Sequence, residues 1–492
     1  MTVEEFKLRA QLFAFKILVR TLAGAGAYGL LARFCLRYAF EIKDGQRRKA
    51  SRSVNPAIRA TVLVLDYDRF RGDIDLFSQA ADIRIVGVSW SLLLYLLSAY
   101  VHNPTEKEIR ARVSELGIRW DFAGAQPGSK IYKSRERYRA FLRKFLPKLF
   151  QLMNADVIMN SDFRYRREAD IVRVAAELGY AHICYYREAM YMVPAYYHHA
   201  VARHEIFGPF NGFMIAVQNA VTKKMFLEAR MAPPGKIVVR GCPRMDALAD
   251  RVRNPSTRRD GGKQIAYFSA PYGSERKDLS LKPFDMIRTA RKVVRALAEI
   301  ARDNPNIRVV LKIKDMHAKG PTGGQVAIFE KEIAAVAEPS RRLDNIEFVT
   351  DRFAAHDVLA ESDVVCAMQS TVVLEAAALG KPVILPHLRE LQEQDGAEEV
   401  LMYRECRHLF DVPNDVEELK RTVMERLRKP DVDPDIMRER SKTFEEYVSS
   451  LNGGATEKSL DLIRMAARTT HANLGRMIDA ASGNYAGGRV SV

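Results

Sequence analysis

Short apolar segments alternate with stretches of helical periodicity, and the alternation runs through the chain twice. In the first series candidate strands lie at 60–65, 83–88, 156–159, 181–186 and 236–239, with helical patterns at 141–153, 169–178 and 213–230. A second series follows the polar, Gly/Pro-containing segment 251–262. Its strands lie at 264–269, 308–313, 346–349, 363–367 and 382–385, and its helices at 284–301, 325–337, 354–361 and 371–379. Strands joined by helix-length crossovers pair in parallel, with helices covering both faces of the sheet. The expected fold is therefore α/β: two Rossmann-like doubly wound domains facing a cleft, with ligands outside the carboxyl ends of the strands. A chain of 492 residues with 47% hydrophobic content can fill two such cores.

Expected boundaries are 1–55 for a basic amphipathic helical segment, 56–240 for the first domain and 241–430 for the second. Helices over 431–481 are expected to pack back across the domains, and 482–492 to form a mobile tail. Within this scheme Asn414 is the natural N-cap of a helix over 414–427, and helical periodicity returns over 456–481. Residues 85–101 carry no charge but fall short of the ~18 residues of a membrane span. They read as a buried strand running into a core helix.

The balance of 77 Lys and Arg against 61 Asp and Glu leaves a formal charge of +16. Such a surface draws nucleic acid, acidic lipid or phosphorylated substrates. No RNP motif, zinc finger or helix-turn-helix signature accompanies the charge, so nucleic acid is not the expected partner. Five cysteines stand far apart with no C-x-x-C pair, and no histidine pair has metal-ligand spacing. The expectation is a reduced, cytoplasmic protein with neither a metal nor a cofactor.

The N-terminus does not read as a cleavable signal, because Glu4 and Glu5 occupy its would-be charged region and Lys16 and Arg20 interrupt the apolar stretch. From Phe6 to Phe40 there are six basic residues (Lys7, Arg9, Lys16, Arg20, Arg33, Arg37) and no acidic one. Arg9, Lys16 and Arg20 share a narrow helical stripe, the pattern of a helix lying on an anionic bilayer surface. A helical hairpin packed on the protein explains the same residues, with Gly24, Gly26 and Gly29 at its bend.

The stretch DVVCAMQSTVVLEAAALGKPVILP, residues 363–386, carries the most chemistry. An apolar strand delivers Gln369, Ser370 and Thr371 to the start of a helix, where free N–H groups and hydroxyls form an anion site. Glu375 follows one turn later, placed to accept from the two hydroxyls of a ribose. Taken singly, Ser and Thr at a helix start are ordinary caps, and a helical Glu is ordinarily solvated.

Together these residues resemble the nucleotide-binding element of GT-B glycosyltransferases and of the related UDP-N-acetylglucosamine 2-epimerases. KIVVRGCPRMDAL, residues 236–248, is similar to the junction between acceptor and donor domains in bacterial capsule, surface-carbohydrate and CDP-glycerol-type transferases, with Gly241, Pro243, Arg244 and Asp246 at the matching positions. The resemblance covers roughly 156–430. It implies a metal-independent transferase that takes a sugar, or a polyol phosphate, from a nucleotide-activated donor to an envelope or capsular polysaccharide or its lipid-linked precursor. A nucleotide-sugar 2-epimerase-like enzyme and a non-catalytic scaffold at the membrane are the alternatives.

The resemblance also implies a donor site. In VVLKIKDMHA, residues 309–318, Lys312 and Lys314 are candidate phosphate partners at a strand end. His317 stands near the family's K-x-H-P position but is followed by Ala318. Ser269, Tyr272, Gly273 and Ser274 lie where the first donor loop approaches phosphates. Ala367 replaces the first Glu of the pair that many retaining enzymes carry.

On the acceptor side, transfer requires a carboxylate that removes a proton from the attacking hydroxyl. Glu188, after the strand 181–186, is the candidate base and Asp162 its rival. Arg164, Arg166, Arg167 and Arg187 are candidate acceptor or anion contacts, reinforced by eight basic residues between Lys130 and Lys148. The partners expected are a nucleotide-sugar donor, an anionic glycan or lipid-linked acceptor and an anionic membrane surface, with the protein peripheral on the inner face of the cytoplasmic membrane. Asp66 and Asp68 after the first strand suggest metal-dependent D-x-D chemistry, but the phosphatase form of that pattern fails at Phe70.

Overall fold

The computed structural model describes residues 3–38, 40–43, 58–70, 72–101, 125, 127–205, 209–254, 262–269, 285–314, 324–337, 343–351 and 355–486. Helices α1 (Val3–Gly24) and α2 (Tyr28–Tyr38) form a hairpin whose bend uses Gly26 at φ +69°. A strand, β1 (Phe40–Lys43), follows within the segment expected to be helical; it pairs antiparallel with the edge of the first sheet.

That sheet continues through β2 (Ala60–Leu65), α3 (Asp73–Phe77), β3 (Ile83–Val88), α4 (Trp90–Ser98), α5 (Lys130–Met153), β4 (Val157–Asn160), α6 (Arg166–Glu177) and β5 (Ala181–Tyr185). It closes with α7 (Pro194–Glu205), β6 (Met214–Val217), α8 (Ala220–Glu228) and β7 (Ile237–Val239). The strand order is β1-β3-β2-β4-β5-β6-β7, parallel except for β1. The expected helix over 213–230 is in fact β6 followed by α8. Asn219 ends the strand's influence by accepting from Thr222 N at 2.8 Å as the cap of α8.

The second series gives α9 (Asp246–Arg253), β8 (Lys263–Phe268), α10 (Ile287–Asp303), β9 (Ile307–Lys312), α11 (Gly324–Ala334) and β10 (Ile346–Val349). It continues with α12 (Ala355–Glu361), β11 (Val364–Ala367), α13 (Val372–Ala378) and β12 (Val383–Ile384), then α14 (Val416–Arg428), α15 (Pro434–Tyr447) and α16 (Ala455–Ala486). The order β10-β9-β8-β11-β12 is wholly parallel. Asp415, not Asn414, caps α14, accepting from Glu418 N at 2.8 Å.

Parallel strands buried on both faces need helices on both sides. One face of the first sheet packs on α1, α2, α4, α5 and α6, and the other on α3 and the Leu460–Ala467 stretch of α16. In the second sheet α10, α11 and α14 cover one face, and α9, α12, α13 and α15 the other. Helix α16 therefore returns to the first sheet, where Arg464 holds Asp82 at 2.9 Å.

Basic residues on α5 include two that point inward. Arg135 and Arg139 both reach Asp170 of α6, at 2.8 and 2.7 Å, and are buried, so they join helices and do not form part of an open basic face. Hairpin α1–α2 packs on α4 and α5 through Phe15–Tyr95 and Tyr28–Phe141 ring contacts. Its outer surface leaves Phe13, Ile17 and Leu30 exposed. Among the described residues no helix is long and apolar enough to cross a membrane.

Candidate donor and acceptor cleft

Each sheet reverses strand order once: between β2 and β4 in the first, and between β8 and β11 in the second. Adjacent loops diverge there, leaving a crevice at the carboxyl edge. The sequence-predicted residues that are described fall on these two edges or on the junction between them.

On the second sheet, β11 delivers Gln369, Ser370 and Thr371 to α13. Gln369 is held in place: its Nε2 donates to Val400 O at 3.2 Å, and its Oε1 accepts from Met402 N at 3.0 Å. Tyr403, buried and at φ +68°, donates its hydroxyl to Ser370 O. Helix α13 has seven residues, and all of them are buried.

Glu375 is buried at 3% exposure, and each of its oxygens accepts from a protein donor. Thr371 Oγ1 donates to its Oε1 at 2.7 Å, and His356 Nε2 to its Oε2 at 3.2 Å. Burial opposes ionisation of this carboxyl, but His356, Thr371 and Arg244 outweigh it and hold the group below the usual range. The sequence reading puts ribose hydroxyls at those oxygens; in the structure a threonine and a histidine stand there. His356 lies on α12, nineteen residues earlier, and no spacing in the sequence marks it.

Beside this turn, Ser269 follows β8 with its Oγ buried and without a partner among the described residues. Lys312 ends β9, donating to Ile313 O at 3.0 Å, and Lys314 is half-buried. Tyr272, Gly273, Ser274 and His317 lie outside the described residues.

The first sheet presents Arg187 and Glu188 after β5, with Glu188 exposed. Asp162, after β4, is sealed: Arg164 donates to its Oδ1 from the backbone N at 3.0 Å and from Nε at 2.7 Å, while Nη2 reaches Oδ2. Desolvation alone would raise this carboxyl, yet the Arg164 charge and hydrogen bonds hold it low. Arg164 also donates to Tyr186 OH at 3.0 Å, so both partners are structural in their contacts. Arg166 and Arg167 begin α6, with Arg167 reaching Asp66 at 2.9 Å.

The junction residues act as a buckle between the edges. Gly241 takes φ +80°, and a Cβ there would lie 2.9 Å from Ala455 Cβ. Pro243 is buried in a single 3-10 turn. Arg244 donates to Asp73 from its backbone N at 3.1 Å and from Nη1 at 3.2 Å, and its charge also reaches Glu375 on the other sheet. Asp246 caps α16, accepting from Ala455 N and Thr456 N at 3.0 and 2.8 Å.

A cleft of about 490 Å³ opens between the units, lined by Met192, Val193 and Pro194 of the first and by Leu401, Tyr403 and Arg404 of the second, with α15 at one wall. Among the described residues no three His, Cys, Asp or Glu side chains are grouped to hold a metal ion. Burial pushes the Cys35 and Cys366 thiols up to about 12, leaving them protonated and inert.

Residues 287–387, from α10 through β12, match the model of a family described as "Putative glycosyltransferase (DUF6716)". No curated protein matches the chain in sequence. Among solved structures, UDP-GlcNAc 2-epimerase from Neisseria meningitidis bound to UDP-GlcNAc is similar at a TM-score of 0.44 and 11% identity, covering 83% of this chain and 100% of that one. A glycosyltransferase from Rickettsia africae is similar at 0.44 and 13%, covering 83% and 98%. A variant of the wall teichoic acid polymerase TagF is similar at 0.45 and 10%, covering 95% and 98%. The fold assignment itself, two Rossmann-like α/β sheets, is carried by the strand order and pairing of the sheets.

Proposed function

We propose that the protein is a glycosyltransferase moving a sugar, or a polyol phosphate, from a nucleotide-activated donor to an envelope or capsular polysaccharide or its lipid-linked precursor. One observation carries this reading: the match to a glycosyltransferase family model spans the strand–turn–helix unit that holds Gln369, Ser370, Thr371 and Glu375 at the switch point of the second sheet. In this reading Lys312, Lys314 and the Ser269 hydroxyl, which has no partner among the described residues, face the donor phosphates. The nucleotide ribose competes with Thr371 and His356 for Glu375.

Glu188 is the preferred base over Asp162. A base must be reachable by the acceptor hydroxyl, and Glu188 is exposed where Asp162 is closed by Arg164. As the donor's anomeric carbon–oxygen bond breaks, the acceptor oxygen bonds to that carbon, its proton passes to Glu188, and the nucleotide leaves as an anion. No metal is invoked in this step. The basic hairpin, with Phe13, Ile17 and Leu30 exposed beside Arg20 and Arg33, supports a peripheral position on an anionic inner-membrane surface.

Acceptor-dependent release of nucleotide from a nucleotide-sugar tests the reaction. Glu188→Gln is expected to bind donor as the wild type does but to transfer at least about 100-fold more slowly. Unchanged turnover removes Glu188 as the base. Release of a free sugar epimer without acceptor replaces transfer by epimerisation.

A further inference from the structure

At the switch point of the first sheet, two arginines converge on one carboxylate oxygen. Asp66, leaving β2 at φ +49°, accepts at Oδ2 from Arg69 Nε at 2.8 Å and from Arg167 Nη2 at 2.9 Å. Both guanidiniums are held by aromatic rings. Arg69 lies 4.2 Å over Tyr165 and donates to its hydroxyl at 2.8 Å, while Arg167 lies 4.9 Å over Trp90.

Two guanidiniums face the Asp66 carboxylate, and burial together with Asp66 pushes the neighbouring Glu168 carboxyl well above the usual range, which disfavours its charged form. Glu168 is completely buried and its Oε1 has no hydrogen-bond partner among the described residues; the Arg167 Nε is likewise buried and unpartnered. The surface above them is open: Trp90 is 41% exposed and the Arg69 side chain 37%.

We infer that Arg69, Arg167 and Trp90 form a phosphoryl-binding subsite for the acceptor. Guanidinium groups fixed by stacking present their remaining N–H donors without further loss of side-chain freedom, and two of them match the several oxygens of a phosphate. The exposed Trp90 ring takes the sugar ring or apolar chain attached to that phosphate. The site lies on the sheet edge of the first unit, separate from the donor turn. It rests on the transferase reading only in its role as the acceptor site, since phosphate capture is a property of these residues alone.

Trp90 also provides the readout. It is one of two tryptophans, so in a Trp120→Phe background its fluorescence reports this site. Inorganic phosphate, glucose 6-phosphate and farnesyl phosphate are titrated, with glucose and farnesol as uncharged controls, and UDP binding at the donor turn is read separately as a shift in Tm. The phosphorylated probes are expected to give a saturable change that the controls do not. Arg69→Gln and Arg167→Gln are each expected to raise the apparent Kd at least about tenfold while leaving the UDP response unchanged.

Each single variant leaves one guanidinium on Asp66, and circular dichroism shows whether it has folded; if one fails, the other decides. Tighter binding of farnesyl phosphate than of glucose 6-phosphate identifies a lipid-linked source, and the reverse a soluble one. Phosphate binding that both variants retain, or no phosphate response in the wild type, overturns the subsite. A phosphate response without any UDP response leaves the subsite standing and removes the donor reading instead.

Discussion

Asp162→Ala is expected to cost about 3–5 kcal/mol of unfolding free energy, because it strands the Arg164 guanidinium without a counter-charge. Arg164 is 4% exposed and held by three donor contacts to Asp162 and one to Tyr186, whose hydroxyl lies 2.7 Å from Tyr191 OH. Replacing both members with apolar residues removes the uncompensated charge, and such exchanges are often neutral. Asp162→Ala with Arg164→Met should therefore regain most of the loss. Urea unfolding followed by circular dichroism measures both. A loss below about 1 kcal/mol for Asp162→Ala, or no recovery in the double variant, contradicts a structural pair and restores Asp162 as a candidate for chemistry.

Acidification should weaken the fold well above the carboxylate range. Burial lowers His182 and His204 to about 3 and His387 to about 4, from 6.5. His182 donates to Asn160 Oδ1 at 2.9 Å, and His204 Nδ1 donates to Ala200 O. With folded values below the unfolded ones, the unfolded chain takes up protons first. Stability is thus full above about pH 6.5 and declines as pH falls toward 4.

Each imidazole contributes up to about 1.4 kcal/mol per pH unit in that window. Glu168 acts in the opposite sense, since its raised folded value favours the native state as pH falls toward 4.5. Asp162 and Glu375, with depressed values, lose their contribution only at still lower pH. Asp73, also raised by burial, acts in the same sense as Glu168, so the net loss between pH 7 and pH 5 is expected to be up to about 3 kcal/mol. His387→Gln should flatten the slope, and a pH-independent unfolding midpoint between 7 and 5 contradicts the assignment.

The two parallel sheets were legible because buried strands write their apolar runs directly into the chain. Strands 60–65 and 83–88 fall where expected, and those of the second sheet within a residue or so. Two strands were missed for physical reasons. Phe40–Lys43 is an edge strand whose sequence alternates apolar residues with Glu41 and Lys43, so it has no apolar run. Met214–Val217 merges with the apolar start of the following helix, and only the Asn219 cap separates them.

The junction motif was visible as a string, but what it does was not. Gly241, Arg244 and Asp246 meet Ala455, Asp73 and the start of α16, partners as far as 214 residues away in sequence. The same limit hid His356 from Glu375, and Arg69 and Trp90 from Arg167. Charge illustrates it most clearly: Arg135, Arg139 and Arg164 read in the sequence as surface or acceptor cations, and the structure buries all three against aspartates.

Nucleotide binding tests the central claim most directly. A panel of nucleoside diphosphates and nucleotide-sugars is added to the full-length protein, and the shift in Tm is read for wild type and for Glu375→Gln, which preserves side-chain size. At about one hundred times Kd a ligand adds roughly 2.7 kcal/mol, which for a chain of this size is a rise of about 2–3 °C. The account predicts such a rise for one nucleotide class in the wild type and a much smaller one in the variant. No shift with any nucleotide, or an equal shift in Glu375→Gln, contradicts a donor site at the Gln369–Glu375 turn.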